Sequence, residues 1–131
     1  MIFGVGIDLV RISRMEAAIG RWGGRLMDRL FTAREQEYCL RYRQPAPHFA
    51  ARFAAKEATI KALGWPRDAP FGWAEVETIN DPSGRPHLSM TGHVRTVATR
   101  LGVEQICVSL SHDRDYAIAY VMVTQGTVGA R

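Results

Sequence analysis

Apolar and polar positions follow two rhythms along this chain, and the change of rhythm marks its elements. The clearest stretch is Phe49 to Gly64, FAARFAAKEATIKALG. It is built of strong helix formers, with no Gly or Pro before its last residue. At about 100° per residue, Phe49, Phe53, Ile60 and Leu63 share one face, which predicts a helix with a core stripe. Six alanines (Ala50, Ala51, Ala54, Ala55, Ala58 and Ala62) make this helix thin, so backbone or a ligand can approach closely. Gly64 is the expected stop.

Upstream, Met1 to Ile12 (MIFGVGIDLVRI) is almost continuously apolar, which predicts a strand buried on both faces. Ser13 with Glu16, and Thr32 with Glu35, read as capping boxes. The first opens a helix at Arg14 that Gly20 and the pair Gly23-Gly24 weaken or break. The second opens a short helix to about Tyr42, and the long helix then follows a turn at Arg43 to Pro47. Downstream, Trp73 to Asn80 alternates as a strand. Asp81-Pro82-Ser83-Gly84 has a type I turn signature, and Arg85 to Met90 returns as the hairpin partner. Thr91 to Leu101 predicts a helix with Val94, Val97, Ala98 and Leu101 inward. Glu104 to His112 alternates, with Ile106, Val108 and Leu110 inward. Tyr116 to Val123 is apolar on both faces and predicts a central strand. The tail after Thr124 is polar and expected to fray. The pattern implies an α+β fold in a single domain, residues 1–131, with one mostly antiparallel sheet packed against helices.

Composition adds a charge argument. The formal net charge is +4 across 131 residues, which favours anionic partners: nucleic acid, a phosphorylated ligand, an acidic protein or a membrane surface. Cys39 and Cys107 match no metal-ligand spacing and read as buried, reduced thiols of a cytoplasmic protein. No apolar run approaches the roughly 20 residues that span a membrane.

Two carboxylates break the pattern. Asp8 sits in an apolar strand, on the same face as Gly4, Gly6 and Val10. Glu57 lies beside the core stripe of the long helix, with Lys61 one turn further on the same side. Arg52 and Lys56 fall on the other flank. A purely structural reading gives Asp8 backbone amides and gives Glu57 the i,i+4 partner Lys61. If the two acids meet instead, a shared proton or a cation must relieve their repulsion. Mg²⁺ commonly takes one or two protein carboxylates and completes its shell with water and phosphate, and Lys61 and Arg52 are natural phosphate partners. Arg14 and Arg21 lie seven apart, and Arg21, Arg25 and Arg29 continue at four-residue steps. They form a solvated basic face or a docking surface for an acidic helix.

At these residues the chain resembles a known family. GIDLVRISR at Gly6 to Arg14 and FAARFAAKEATIKALG at Phe49 to Gly64 look like holo-acyl-carrier-protein synthase, the small bacterial phosphopantetheinyl transferase. NDPSGRPHLSMTG at Asn80 to Gly92 and VSLSHDRDYAIAYV at Val108 to Val121 continue the likeness in order. The resemblance implies transfer of the phosphopantetheine arm of coenzyme A to a serine of an apo acyl carrier protein, releasing adenosine 3′,5′-bisphosphate. It implies Mg²⁺ held by Asp8 and Glu57, with Lys61 neutralising the transferred phosphate. Arg52, Gly64 and His112 are expected at coenzyme A, with the turn from Asn80 to Pro86 bordering the adenosine. Glu57 or a metal-bound water could accept the serine proton, the water being preferred because a coordinating carboxylate is a weaker base. Arg14, Arg21 and Arg25 are expected to dock the acidic carrier, with Met27 and Trp22 read as core. The short members of the family resemble homotrimers with ligand clefts between subunits.

The chain departs from the family pattern at Trp65-Pro66, where a small or polar residue is usual; Trp65 is expected in the core. His48, His87 and His93 gain no role. Two rivals stand against this reading: a Mg²⁺-dependent nucleotide hydrolase and a small basic nucleic-acid-binding module. The second lacks an RNP-type aromatic motif and zinc-finger spacing, and leaves Asp8 and Glu57 unexplained.

Overall fold

The computed structural model describes residues 1–126; the tail expected to fray falls, from residue 127 onward, outside the described residues. The long helix, α3, covers Ala46–Leu63. It starts three residues earlier than its periodicity indicates, because Pro45 and Pro47 fit a first turn whose amides lack helical partners anyway. Gly64 closes it with φ 66°, a left-handed conformation that suits glycine. The helix is wrapped on nearly every side. All six alanines are buried, and so are Arg52 and Lys56, which periodicity placed only on a flank.

The thinness of α3 sets its depth. Strand β1 (Ile2–Arg11) lies against it with Gly4 over the Ala62 carbonyl and Gly6 over the Ala58 carbonyl. A Cβ at either glycine would collide with backbone oxygen, which cannot swing aside as a side chain can. Gly6→Ala should therefore lower stability by about 1–3 kcal/mol through overpacking, read as a lower midpoint in urea.

The other elements are α1 (Ile12–Leu30), α2 (Ala33–Leu40), a 3₁₀ turn (Trp73–Glu75), β2 (Val76–Asn80), β3 (Pro86–Met90), α4 (Gly92–Arg100), β4 (Val103–His112) and β5 (Tyr116–Gln125). The α+β class holds, and every strand pair is antiparallel. The expected single sheet is two: a three-stranded sheet in the order β1-β5-β4, and a separate β2-β3 hairpin. β5 is central, as its two-sided apolar pattern requires. The hairpin turn is pinned at Asp81, whose carboxylate accepts from the Ser83 hydroxyl and from the Ser83 and Arg85 amides.

Several local expectations are corrected. β1 is covered by α3 on one face only; Val5, Ile7 and Leu9 are half or more exposed on the other. Ser13 and Glu16 form no capping box, since the helix begins at Ile12 with Arg11 as its cap. The Thr32–Glu35 box is present. α1 continues through a break at Gly23, φ 60°, so the arginines beyond it stay helical. The strand expected from Trp73 begins only at Val76. Cys39 is buried as expected, whereas Cys107 is exposed. Trp65 packs in the core and donates to the Pro70 carbonyl at 3.3 Å.

Candidate functional site

The close seating of β1 on α3 brings Asp8 out beside Glu57. The two carboxylates line one cleft of about 470 Å³, together with Leu9, Val10, Arg14, Met15, Leu26 and Phe53. Burial first, and the Asp8 charge second, push the Glu57 carboxyl above its ordinary range, while Lys61 pulls it partly back. Lys61 does not take the i,i+4 pairing with Glu57. Its ammonium donates to the Ile7 carbonyl at 2.9 Å and to Asp8 Oδ1 at 3.2 Å. It therefore bridges helix to strand, and Asp8 makes this pair instead of the backbone-amide bonds of the structural reading.

Two carboxylates lining one open cleft suit Mg²⁺, which leaves most of its positions to water and phosphate oxygen. Among the described residues no cluster of three or more His, Cys, Asp or Glu exists to build a closed all-protein site, so a structural zinc does not fit. The raised Glu57 value has a consequence. Its carboxyl takes a proton more readily folded than unfolded, so its contribution to stability is present below the unfolded value, about 4.3, and is lost as pH rises through the raised value. In chelator, Glu57→Gln should melt higher than wild type at pH 7 to 8, with the gap closing in acid.

Lys61 and Gly64 also border an adjoining groove of about 510 Å³ walled by Trp65, Phe71 and Trp73. These rings form a continuous chain with Phe53, centroids 5.2 to 5.3 Å apart.

Arg52 lies elsewhere. Nine residues separate it from Lys61, which is half a turn out of phase on a helix. The residue is only 3% exposed, and its guanidinium sits 3.9 Å from the centroid of the Tyr38 ring and donates to Asn80 Oδ1 at 2.5 Å. Asn80 in turn donates to the Gly84 carbonyl at 2.9 Å, across the hairpin turn that ends at its partner Pro86. The Arg52 Nε–H is buried without a partner. A small cleft of about 190 Å³ opens there, with Arg34 and Arg41 on its border. His112, at the end of β4, meets His48 edge-on at 5.3 Å, and His48 stacks on Tyr42 at 3.6 Å. His48, given no role from sequence, thus belongs to the His112 group. Burial, then His112 and Arg52, hold its imidazole below the ordinary value.

One chain therefore divides the expected residues into two groups. Asp8, Glu57, Lys61 and Gly64 lie along one side of α3; Arg52, Asn80, Pro86 and His112 lie with Tyr38 and His48 on the other. Along α1, Arg14 borders the carboxylate cleft. Arg25 and Arg29 flank a hollow shared with Trp22, and Arg21 stacks over the Trp22 ring at 5.0 Å. Met27 is core as expected, but Trp22 is 60% exposed. Two further charged groups, Glu35 and Lys56, are wholly buried as an ion pair at 2.8 Å. Sequence reading passed over that pair, since Glu35 showed only as a helix cap and Lys56 only as one more basic residue.

A family model, described as the 4′-phosphopantetheinyl transferase superfamily, matches residues 4–121. A holo-[acyl-carrier-protein] synthase of Geobacter sulfurreducens is 44% identical over 123 residues, spanning 94% of this chain and 98% of the relative. The crystal structure of holo-[acyl-carrier-protein] synthase from Neisseria meningitidis superposes with a TM-score of 0.86 at 26% identity, over 95% of this chain and all of that one. The Helicobacter pylori holo-[acyl-carrier-protein] synthase in complex with coenzyme A superposes with a TM-score of 0.80 at 26% identity, over 92% and 99%.

Proposed function

The chain belongs to the 4′-phosphopantetheinyl transferase superfamily, and from that premise we propose that it transfers the phosphopantetheine arm of coenzyme A to a serine of an apo acyl carrier protein. The observation that carries the reading is that Asp8 and Glu57 line one cleft together with Arg14, and that Lys61 reaches Asp8 from the wall of a second groove. Asp8 and Glu57 would hold Mg²⁺, which when bound would supply Lewis-acid polarisation of the phosphate. Lys61, anchored by Ile7 and Asp8, keeps its ammonium at the cleft to offset charge on the transferred phosphate. The serine oxygen bonds to the phosphorus that carries the pantetheine arm while its proton passes to water in the cleft, the phosphoanhydride P–O bond to the adenosine side breaks, and adenosine 3′,5′-bisphosphate leaves with that bridging oxygen. Positioning supplies most of the rest. Arg52, Asn80, Pro86 and His112 hold the nucleotide end, and the orphaned Arg52 donor is suited to an anionic oxygen. Gly64 lets the chain turn beside the pantetheine path.

The two groups flank opposite sides of α3, so a single chain does not present them to one ligand. A homotrimer with the coenzyme between subunits joins one group to a neighbour's other group. The exposed apolar face of β1, with Val5, Ile7 and Leu9, and the neighbouring Tyr120 of β5 offer surface for that assembly. The two free thiols fit a cytoplasmic setting.

Arg14, Arg21 and Arg25 dock the acidic helix of the carrier, and exposed Trp22 adds an apolar anchor among them. Opposite fields chiefly raise association rate and set orientation. Reversing charge at Arg14 and Arg21 together should raise KM for carrier about tenfold and leave KM for coenzyme A unchanged. Equal effects on both substrates would argue against docking here. The reaction itself is tested by mass spectrometry of apo carrier after incubation with enzyme, coenzyme A and Mg²⁺. A carrier gaining phosphopantetheine supports transfer. Coenzyme A consumed without carrier identifies a hydrolase, and neither change identifies a binding module.

A further inference from the structure

Strand β2 pairs with β3 on one side only. Glu75 turns its carbonyl to the Thr91 amide on the β3 side, so by alternation the Val76 carbonyl and the Thr78 amide point away from β3. That outer edge is buried, and its polar groups need partners. They receive two side chains instead of a strand. Lys56 donates to the Val76 carbonyl, to the Trp73 carbonyl at 2.9 Å and to Glu35 Oε1 at 2.8 Å, which uses all three of its N–H bonds. Glu35 Oε2 accepts the Thr78 amide at 3.0 Å. One turn before Lys56, Arg52 reaches Asn80, two residues beyond Thr78. The same flank of α3 thus grips the start of β2 through Lys56 and its end through Arg52.

We propose that the Glu35–Lys56 pair positions Asn80 and Arg52 for the nucleotide end of coenzyme A, by standing in for a neighbouring strand along β2. This rests on the proposed assignment of Asn80 and Arg52 to the nucleotide. A buried ion pair is a poor device for stability alone. Its hydrogen bonds are directional, however, and hold β2 at one register, where an apolar contact would let it slide.

The test is a cycle of Glu35→Gln and Asn80→Ala, with steady-state kinetics in both substrates and amide exchange at Thr78. Glu35→Gln keeps the volume but has one acceptor oxygen where Glu35 uses two, so it cannot hold both Lys56 and the Thr78 amide. It should raise KM for coenzyme A about tenfold, with kcat and KM for carrier changed less than about threefold. Thr78 should exchange faster. Added to Asn80→Ala, it should raise KM for coenzyme A no further, because the group it positions is already gone. Should Glu35→Gln fold poorly, Glu35→Asp, which keeps the charge and shortens the reach, should show the same pattern. Multiplicative effects in the cycle overturn the proposal. So does an unchanged KM for coenzyme A in Glu35→Gln while Asn80→Ala raises it. If Asn80→Ala itself leaves that KM unchanged, the nucleotide assignment fails, and the positioning role falls with it.

Discussion

Asp8→Asn should lower kcat/KM for carrier modification about a thousandfold while leaving the melting temperature at or above that of wild type. On the proposed mechanism, losing one of two carboxylates weakens the hold on Mg²⁺ and with it the polarisation of phosphorus, an effect of about 4 kcal/mol. At about 1.4 kcal/mol per factor of ten, that is about three decades. Stability should not follow, for two reasons. The lysine end of the Asp8–Lys61 pair is half in solvent although Asp8 is mostly covered, and a pair screened at one end contributes about 1 kcal/mol. Removing the Asp8 charge also relieves Glu57, whose protonation it favours. The two readouts should therefore separate, with activity lost and the fold kept. Activity within tenfold of wild type at saturating Mg²⁺ would remove Asp8 from the reaction.

The opposite separation is expected at Lys56→Met. Both ends of the Glu35–Lys56 pair are fully buried. Deleting the ammonium strands a carboxylate in the core with only the Thr32 and Thr78 amides to stabilise it. It also orphans the Val76 and Trp73 carbonyls. Breaking a buried pair from one side costs about 3–5 kcal/mol, which for a chain of this length lowers the melting temperature by about 15 °C. Glu35→Leu added to Lys56→Met should recover much of that loss, since two apolar side chains leave no stranded charge. Calorimetry of both variants checks this. A single variant melting within 3 °C of wild type, roughly 1 kcal/mol or less, would mean that the pair contributes little to the fold.

Much of this architecture is written in local pattern. The period of the alanine-rich helix, the Thr32–Glu35 box, the Asp-Pro-Ser-Gly turn and the two-sided apolar β5 all depend on residues within one or two turns of each other. Asp8 and Glu57 were legible for the same reason, since a carboxylate in an apolar run stands out whatever surrounds it. The misreadings share a cause as well. The apolar run of β1 does not say that only one of its faces is covered, because the covering element, α3, is about forty residues away. An exposed Trp22 and an exposed Cys107 cannot be told from buried ones by residue type, since both types prefer the interior.

The amino-acid order by itself determined the elements, their sequence and the two acids that depart from the pattern, because periodicity and capping act between neighbours in the chain. Tertiary structure alone decided the partnerships. Lys56 chose Glu35, 21 residues away; Arg52 chose Asn80, 28 away; Lys61 passed over Glu57 for Asp8, 53 away. The last of these follows from how deeply the glycines of β1 let the strand settle onto a helix of alanines. That contact is set by backbone meeting backbone: the alanines announce that something can come close, but not which strand or at which register.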